Sequence, residues 1–363
     1  MSQLYADIII DISHSAIDRV FQYRIGAEWE EQVQIGSLVT VPFGKGNAHR
    51  HGYVVGITQT PSYAPDKIKE IAEVPQKGIP IEGKLIQLAA WMRETYGTTM
   101  NQALQTVMPV KQTVRKTTQK VEETKLSEDQ WEFVTLNEEQ QALVDEFAED
   151  VQMSTRKTYL LHGVTGSGKT EVYIQCIKEV IREGGQAIVL IPEISLTYQT
   201  LARFRKHFGT RVAFVNSRQS KGEKYEQFRK AKDGEVDVVI GPRSALFTPF
   251  QNLKLIVMDE EHDSAFKSDQ APRYHARDVA IKRAELENAS VILGSATPSV
   301  ESYARAETGQ YRLWELKDRP DGVKAQKIEV VDLREELRLG NRSIISRCLY
   351  KKIQESLARK EQM

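Results

Sequence analysis

Cysteine is scarce in this sequence: Cys176 and Cys348 are the two in 363 residues. Two thiols can build neither a disulfide framework nor a four-thiolate zinc site, so a reducing, cytoplasmic setting is the default expectation. No apolar run approaches the roughly 18 residues needed to span a bilayer. The start, Met1 to Asp7, has neither the basic region nor the long apolar stretch of a secretory signal, and no membrane partner is expected. Neither sign of charge is in excess, because Lys+Arg and Asp+Glu both number 50. A nucleic-acid partner would therefore have to be held by local clusters, since bulk charge is silent. Internal repeats and low-complexity tracts are missing too. What is present, 28% charged and 40% hydrophobic residues, excludes a mostly disordered chain. The length allows two or three domains with cores of their own.

Along residues 1–109, short β-rich runs at 8–10, 20–23, 38–41 and 53–55 alternate with turn residues such as Gly26, Gly36, Gly44 and Gly52. Leu85, Leu88, Ala89, Met92 and Tyr96 then recur at helical spacing, with Gly97 as a stop and a second short helix before Pro109. The pattern predicts a small β-rich domain ending in helices. Residues 110–135 turn first basic, then acidic, and read as a solvated linker. From Leu136 the rhythm changes to apolar β-branched runs at 159–161, 187–191, 212–215, 236–240, 255–258 and 291–293, separated by helical stretches. Buried parallel strands look like this, so the region is expected to be α/β with helices on both faces.

The strongest chemical signal is Gly163-Val164-Thr165-Gly166-Ser167-Gly168-Lys169-Thr170, which fits G-x-x-x-x-G-K-[ST] between an apolar strand and a helix. Glycines let backbone N–H groups curl round phosphates, Lys169 neutralises their charge, and the Thr170 hydroxyl can ligate Mg²⁺. A P-loop alone does not separate kinase, GTPase and motor. The second carboxylate site narrows the choice: Asp259-Glu260-Glu261-His262 ends an apolar strand, the edge of a parallel sheet where the P-loop also lies. Asp259 would hold Mg²⁺ through water, and Glu260 would orient and activate the water that attacks the γ-phosphate. His262 has neither cysteine nor a second histidine near it at metal spacing. Gly294-Ser295-Ala296-Thr297-Pro298 brings hydroxyls to the same edge, where Ser295 and Thr297 could couple the nucleotide site to a second ligand. Arg243, after another strand, suits a phosphate backbone.

In this order, with Leu136 to Gln140 before the P-loop and Ile191-Pro192-Glu193-Ile194-Ser195-Leu196-Thr197 after it, the motifs resemble the first motor lobe of superfamily 2 helicases. The longer strings, Gly163 through Tyr173 and Pro272 through Ala280, resemble more narrowly the primosomal replication-restart helicases. The resemblance implies a β-rich DNA 3′-end-binding domain over 1–109 and a RecA-like P-loop lobe over 136–345, with 346–363 beginning the connection to a second lobe. It implies ATP and Mg²⁺ as cofactors and a 3′-to-5′ helicase activity that restarts replication at stalled forks. It also implies forked and single-stranded DNA as partners, with other primosome and single-strand-binding proteins. Gln140 would contact adenine, and Thr197 and Arg243 would touch the DNA backbone. Lys267, Arg273 and Tyr274 would belong to an aromatic-rich loop that links DNA contact to hydrolysis. Phe21, Gln22, Gly44 and Lys45 would form the pocket for a DNA 3′ end, although many relatives carry Asp where Gln22 stands.

Two departures from that family stand out. About 25 polar residues separate Pro109 from Leu136, too few for the winged-helix domain expected there. The zinc ligands, the arginine finger and the second lobe would lie beyond Met363, so the sequence reads as a truncated relative that cannot unwind DNA alone. The competing expectations are a passive DNA-end-binding module with an idle nucleotide site and, from another class, a small-molecule kinase.

Overall fold

The structure, a computed structural model, describes residues 3–75, 82–108, 135–195, 197–317 and 328–359. Of the linker expected over 110–135, all but residue 135 lies outside the described residues. The first sheet is antiparallel, with strands β1 (Tyr5–Ile10), β2 (Phe21–Arg24), β3 (Leu38–Phe43) and β4 (Ala48–Thr58) in the order β2-β1-β4-β3. Its inward residues, including Ile8, Tyr23, Val39, Val41 and Val54, form a core of their own. Gly52 is needed where β4 crosses β1, because a Cβ there would stand 2.5 Å from the Ile8 side chain. Two helices follow, α1 (Gly83–Tyr96) and α2 (Met100–Val107). Gly97, at φ 60°, closes α1 in the left-handed conformation, and Thr99 with Gln102 builds a capping box on α2.

The second sheet is parallel and seven-stranded. Its strands are β5 (Thr158–Gly163), β6 (Gln186–Leu190), β7 (Val212–Phe214), β8 (Val238–Gly241), β9 (Leu253–Asp259), β10 (Ser290–Ser295) and β11 (Arg312–Leu316). The order is β11-β5-β10-β9-β6-β8-β7. The described helices around it are α3 (Glu138–Gln152), α4 (Lys169–Arg182), α5 (Tyr198–Phe208), α6 (Lys221–Lys232), α7 (Ala276–Glu287) and α8 (Val300–Glu307). Alternate strand residues feed two separate cores, as strands buried on both faces must. Tyr159, Leu161, Val189, Val257 and Ile292 join residues of α3, α4 and α5 on one face. Leu160, Leu190, Ile256, Met258 and Leu293 join residues of α6, α7 and α8 on the other.

That second face also takes in Leu85, Leu88, Met92, Leu104 and Val107 from α1 and α2. The helices that end the β-rich region therefore help to cover the motor sheet, and α1 packs on α7. Ala276, Ala280 and Ala284 recur every four residues along α7, which lets a second helix approach closely. At one end of this contact Lys84 pairs with the buried Glu287 at 2.6 Å. By packing, residues 1–320 make one compact unit, which holds both the β-rich region and the parallel sheet, and 321–363 make another. The expected lobe boundary at 345 falls inside that second unit, which carries α9 (Leu333–Arg338) and α10 (Arg347–Ala358). Strand β11, absent from the sequence reading, pairs with β5 and closes the sheet edge at Leu316.

Met92 is fully buried in the core shared by α1 and the motor sheet. Met92→Ala is expected to cost about 2–5 kcal/mol. Urea unfolding followed by both far-ultraviolet circular dichroism and tryptophan fluorescence should show it as one coincident shift. Two separated transitions would contradict a shared core.

Candidate functional site

The nucleotide site forms where β5, β10 and β9 end side by side. Their pairing sets Ser295 opposite His162 and Gly294 opposite Asp259. The loop after β5 turns through Gly166 (φ 82°) and Gly168 (φ 84°), conformations that glycine adopts without cost. Gly163 leaves room for the loop to fold back, since a Cβ there would meet Ser167 Oγ at 2.6 Å. Val164, Thr165 and Gly166 face solvent, whereas Ser167 and Lys169 are buried. Lys169 Nζ donates to the carbonyl of Gly163 at 2.7 Å, which parks its charge across the loop. Thr170 lies in the first turn of α4, whose N-terminal amides carry the positive end of the helix dipole.

A phosphate with Mg²⁺ fits this donor set. The Ser167 hydroxyl is buried without a partner, nothing stands within 4 Å of where a Cβ on Gly166 would be, and a hydroxyl and a carboxylate, Thr170 and Asp259, would supply hard oxygen ligands. Asp259 is half-buried at the end of β9. Burial raises its pKa above the usual carboxylate range, the neighbouring Glu260 charge raises it further, and donation from Tyr173 with the nearby Lys169 charge opposes both. Glu260 sits at φ 50°, a left-handed conformation that costs a side chain of order 1 kcal/mol. The turn it makes is pinned by Asp263 N–H donating to the Glu260 carbonyl at 2.8 Å.

His262 links the acids to the Ser295 turn. Its Nδ1 lies 2.7 Å from Ser295 Oγ and 3.7 Å from Glu260 Oε2, and Nε2 lies 3.4 Å from Thr297 Oγ1. Thr297 N–H also donates to Ser295 Oγ at 2.9 Å. The third acid, Glu261, went unassigned from sequence and is fully buried. It accepts from Ser299 N–H at 2.6 Å and Ser302 Oγ at 2.9 Å, and faces Arg277 at 3.4 Å. Its place in the Asp-Glu-Glu-His run was visible in sequence, but its partners, up to 41 residues away, were not.

Other sequence-assigned residues occupy different surroundings. Gln140 is buried, with its amide nitrogen donating to the Ser167 carbonyl at 2.8 Å and its amide oxygen accepting from Asn137 N–H at 3.0 Å. It braces the P-loop, so contact with a base would require exchanging one of these bonds. Thr197 caps α5 by accepting from Thr200 N–H. Arg243 donates to the carbonyls of Ala265 and Lys267, which ties it to the aromatic-rich loop. In that loop Lys267 and Arg273 are exposed, but Tyr274 is buried and packs edge-on against Phe247 at 5.7 Å. The Lys267 ammonium stands 6.0 Å from the Tyr96 ring at the end of α1.

A second cleft, of about 430 Å³, opens in the β-rich sheet between Arg19, Phe21, Gln22, Phe43, Gly44, Tyr63, Lys67 and Lys69, with Tyr23 and Ile68. Phe21 meets Phe43 edge-on at 5.1 Å, and the Arg19 guanidinium lies 5.0 Å from the Phe21 ring. Lys69 Nζ donates to the Gly44 carbonyl at 3.0 Å. Of the residues assigned here from sequence, Phe21, Gln22 and Gly44 line the cleft, and Lys45 is exposed outside its lining. Arg19, Tyr63, Lys67 and Lys69 went unassigned because the cleft draws its lining from three separate stretches. Among the described residues no group of three or more His, Cys, Asp or Glu could hold a metal ion. No described helix is long and apolar enough to cross a membrane.

The P-loop and strand-end acid pair at the edge of a parallel sheet set the chain in the helicase class of P-loop proteins. Residues 7–109 match the 3′DNA-binding domain (3′BD) profile, and residues 137–306 match the DEAD/DEAH box helicase profile. Replication restart protein PriA of Bacillus subtilis (strain 168) is 51% identical over 231 residues, covering 64% of this chain and 29% of the relative. Replication restart protein PriA of Chlamydia muridarum is 32% identical over 438 residues, covering 99% of this chain and 58% of the relative. Among solved structures, RecG bound to a three-way DNA junction superposes with a TM-score of 0.41 at 25% identity, covering 53% of this chain and 25% of that one. The chain belongs to the family of replication restart protein PriA, and it spans less than two thirds of the length of the relatives it matches.

Lys169→Ala removes the one ammonium that the P-loop holds and is expected to abolish nucleotide binding while leaving the lobe folded. Titration calorimetry beside circular dichroism checks this, and undiminished ATP affinity would contradict the assignment.

Proposed function

We propose that this chain is the DNA-end-reading and nucleotide-binding part of an ATP-dependent 3′-to-5′ DNA helicase that recognises stalled or abandoned forks and restarts replication. The observation that carries this reading is one compact unit containing both the basic, aromatic cleft and the P-loop site. In the cleft, Phe21 and Tyr63 offer faces for stacking a terminal base, while Arg19, Lys67 and Lys69 meet the phosphate behind it. At the motor edge, the P-loop amides and Lys169 bind the β- and γ-phosphates, and Glu260 orients and deprotonates the attacking water. His262 holds Glu260 in line with the Ser295 turn. Thr170, and Asp259 through water, would hold Mg²⁺, which would supply positive charge beside the phosphates. Lys267 and Arg273, exposed on the loop that Arg243 braces, are the DNA-facing end of the coupling path. Other primosome proteins and single-strand-binding protein are the proposed protein partners, and the cytoplasm is the proposed location.

Base stacking on an aromatic side chain contributes about 1–3 kcal/mol. Phe21→Ala should therefore weaken binding of single-stranded DNA with a free 3′ hydroxyl about tenfold, and should weaken binding of a 3′-blocked strand far less. Fluorescence anisotropy with both strands measures this, and equal affinity of the unsubstituted chain for the two would remove the end-reading role. Glu260→Gln should retain ATP and lose DNA-stimulated phosphate release, measured in a two-lobe relative carrying the same change. Turnover at the unsubstituted rate would exclude Glu260 as the base.

A further inference from the structure

Tyr173 belongs to none of the roles above. It lies in the second turn of α4, is 1% exposed, and donates its phenol to Asp259 Oδ1 at 3.0 Å. Hydrogen bonds from a hydroxyl to a carboxylate are among the strong ones, and a buried carboxylate needs such a partner. The phenol also explains a glycine. A Cβ on Gly294 would stand 1.6 Å from the Tyr173 oxygen and 2.7 Å from the ring carbon bearing it. Gly294 is not among the residues of positive φ, so its lack of a side chain serves that space and not the backbone. Gly294 is in turn the register partner of Asp259. One side chain thus touches the helix that follows the P-loop, the acid at the end of β9, and the glycine that opens the turn to Thr297.

We propose that Tyr173 is the positioning residue for the metal-binding acid: its phenol fixes the rotation of the Asp259 carboxylate and commits Oδ1, so that a metal-bound water addresses the remaining lone pairs. Gly294 is the space this arrangement requires. The inference rests on the nucleotide and Mg²⁺ reading of this site.

The test uses the whole chain and a fluorescent ADP, titrated first in EDTA and then at rising Mg²⁺. Tyr173→Phe keeps the ring and removes the donor. It should leave the metal-free ADP affinity within about twofold and raise the Mg²⁺ concentration for half-maximal tightening about tenfold, the scale of one charge-assisted hydrogen bond. An unchanged Mg²⁺ curve would overturn the proposal, because a purely structural role for the ring predicts that result. Gly294→Ala, which crowds the phenol off Asp259, should reproduce the Mg²⁺ shift. Combined with Tyr173→Phe it should add nothing further to that shift, because the bond is already gone; two additive shifts would also overturn the proposal. Lys169→Ala separates the two levels: if it still binds ADP, the nucleotide site itself is misassigned and the inference falls with it.

Discussion

The arrangement of the motor site depends on the parallel register of β5, β10 and β9. Each of these strands is buried on both faces, so a slip of one residue would exchange the two cores and is strongly opposed. Fixing that register delivers the P-loop, the Ser295 turn and the acid pair to one edge without any residue of the site having to organise it. The last residue of β9 and the three after it then divide the work by environment. Asp259 faces the P-loop under a phenol, Glu260 is turned into the left-handed region, Glu261 is buried as a tie to α7 and α8, and His262 reaches back to β10. Adjacent acids can take such different roles because the chain leaves the extended conformation at Glu260.

The second organising contact is the packing of α1 and α2 on the motor sheet. A β-rich module joined only by a linker would transmit little to the lobe. Here its helices share the lobe's core, and α1 lies along α7, the helix that begins where the aromatic-rich loop ends. Tyr96, the last residue of α1, sits under Lys267, and Arg243 fastens the same loop from the other side. The loop is thus braced by both the DNA-end module and the motor.

Much of this was legible in the sequence where local chemistry decides structure. The P-loop glycines, the apolar runs of the parallel strands, and the Gly97 stop of α1 follow from conformational preference and periodicity alone. What was not legible depends on partners distant in sequence. Tyr173 closes the string Gly163 through Tyr173, but its bond to Asp259 spans 86 positions. Arg243 and Tyr274 carry side chains suited to DNA, yet tertiary packing commits one to loop carbonyls and buries the other. Strand β11 was missed because Arg312 and Glu315 interrupt the apolar pattern at a sheet edge, where one side of the strand meets solvent. The packing of α1 and α2 on the parallel sheet was hidden for the same reason: composition marks where a linker lies and says nothing of which surface a helix covers.

Gln22 stands where the resemblance implies an aspartate, and its contacts give the amide a physical role. It pairs with Asp7 across β1 and β2, and its amide nitrogen donates to Asp7 Oδ1 at 3.1 Å. An aspartate at position 22 would set two carboxylates against each other there, and the nearer to burial, the more costly that contact becomes. The amide avoids the repulsion, and its oxygen accepts from Ser62 N–H at 2.6 Å, which holds the chain beside Tyr63 at the cleft. Asp7 already supplies a carboxylate to this corner, while Arg19, Lys67 and Lys69 line the cleft with no acid among them. The equal totals of 50 basic and 50 acidic residues therefore conceal a separation of charge at short range. At an ionic strength where fields decay within about 8 Å, that local separation and not the sum is what the proposed DNA-end ligand would meet.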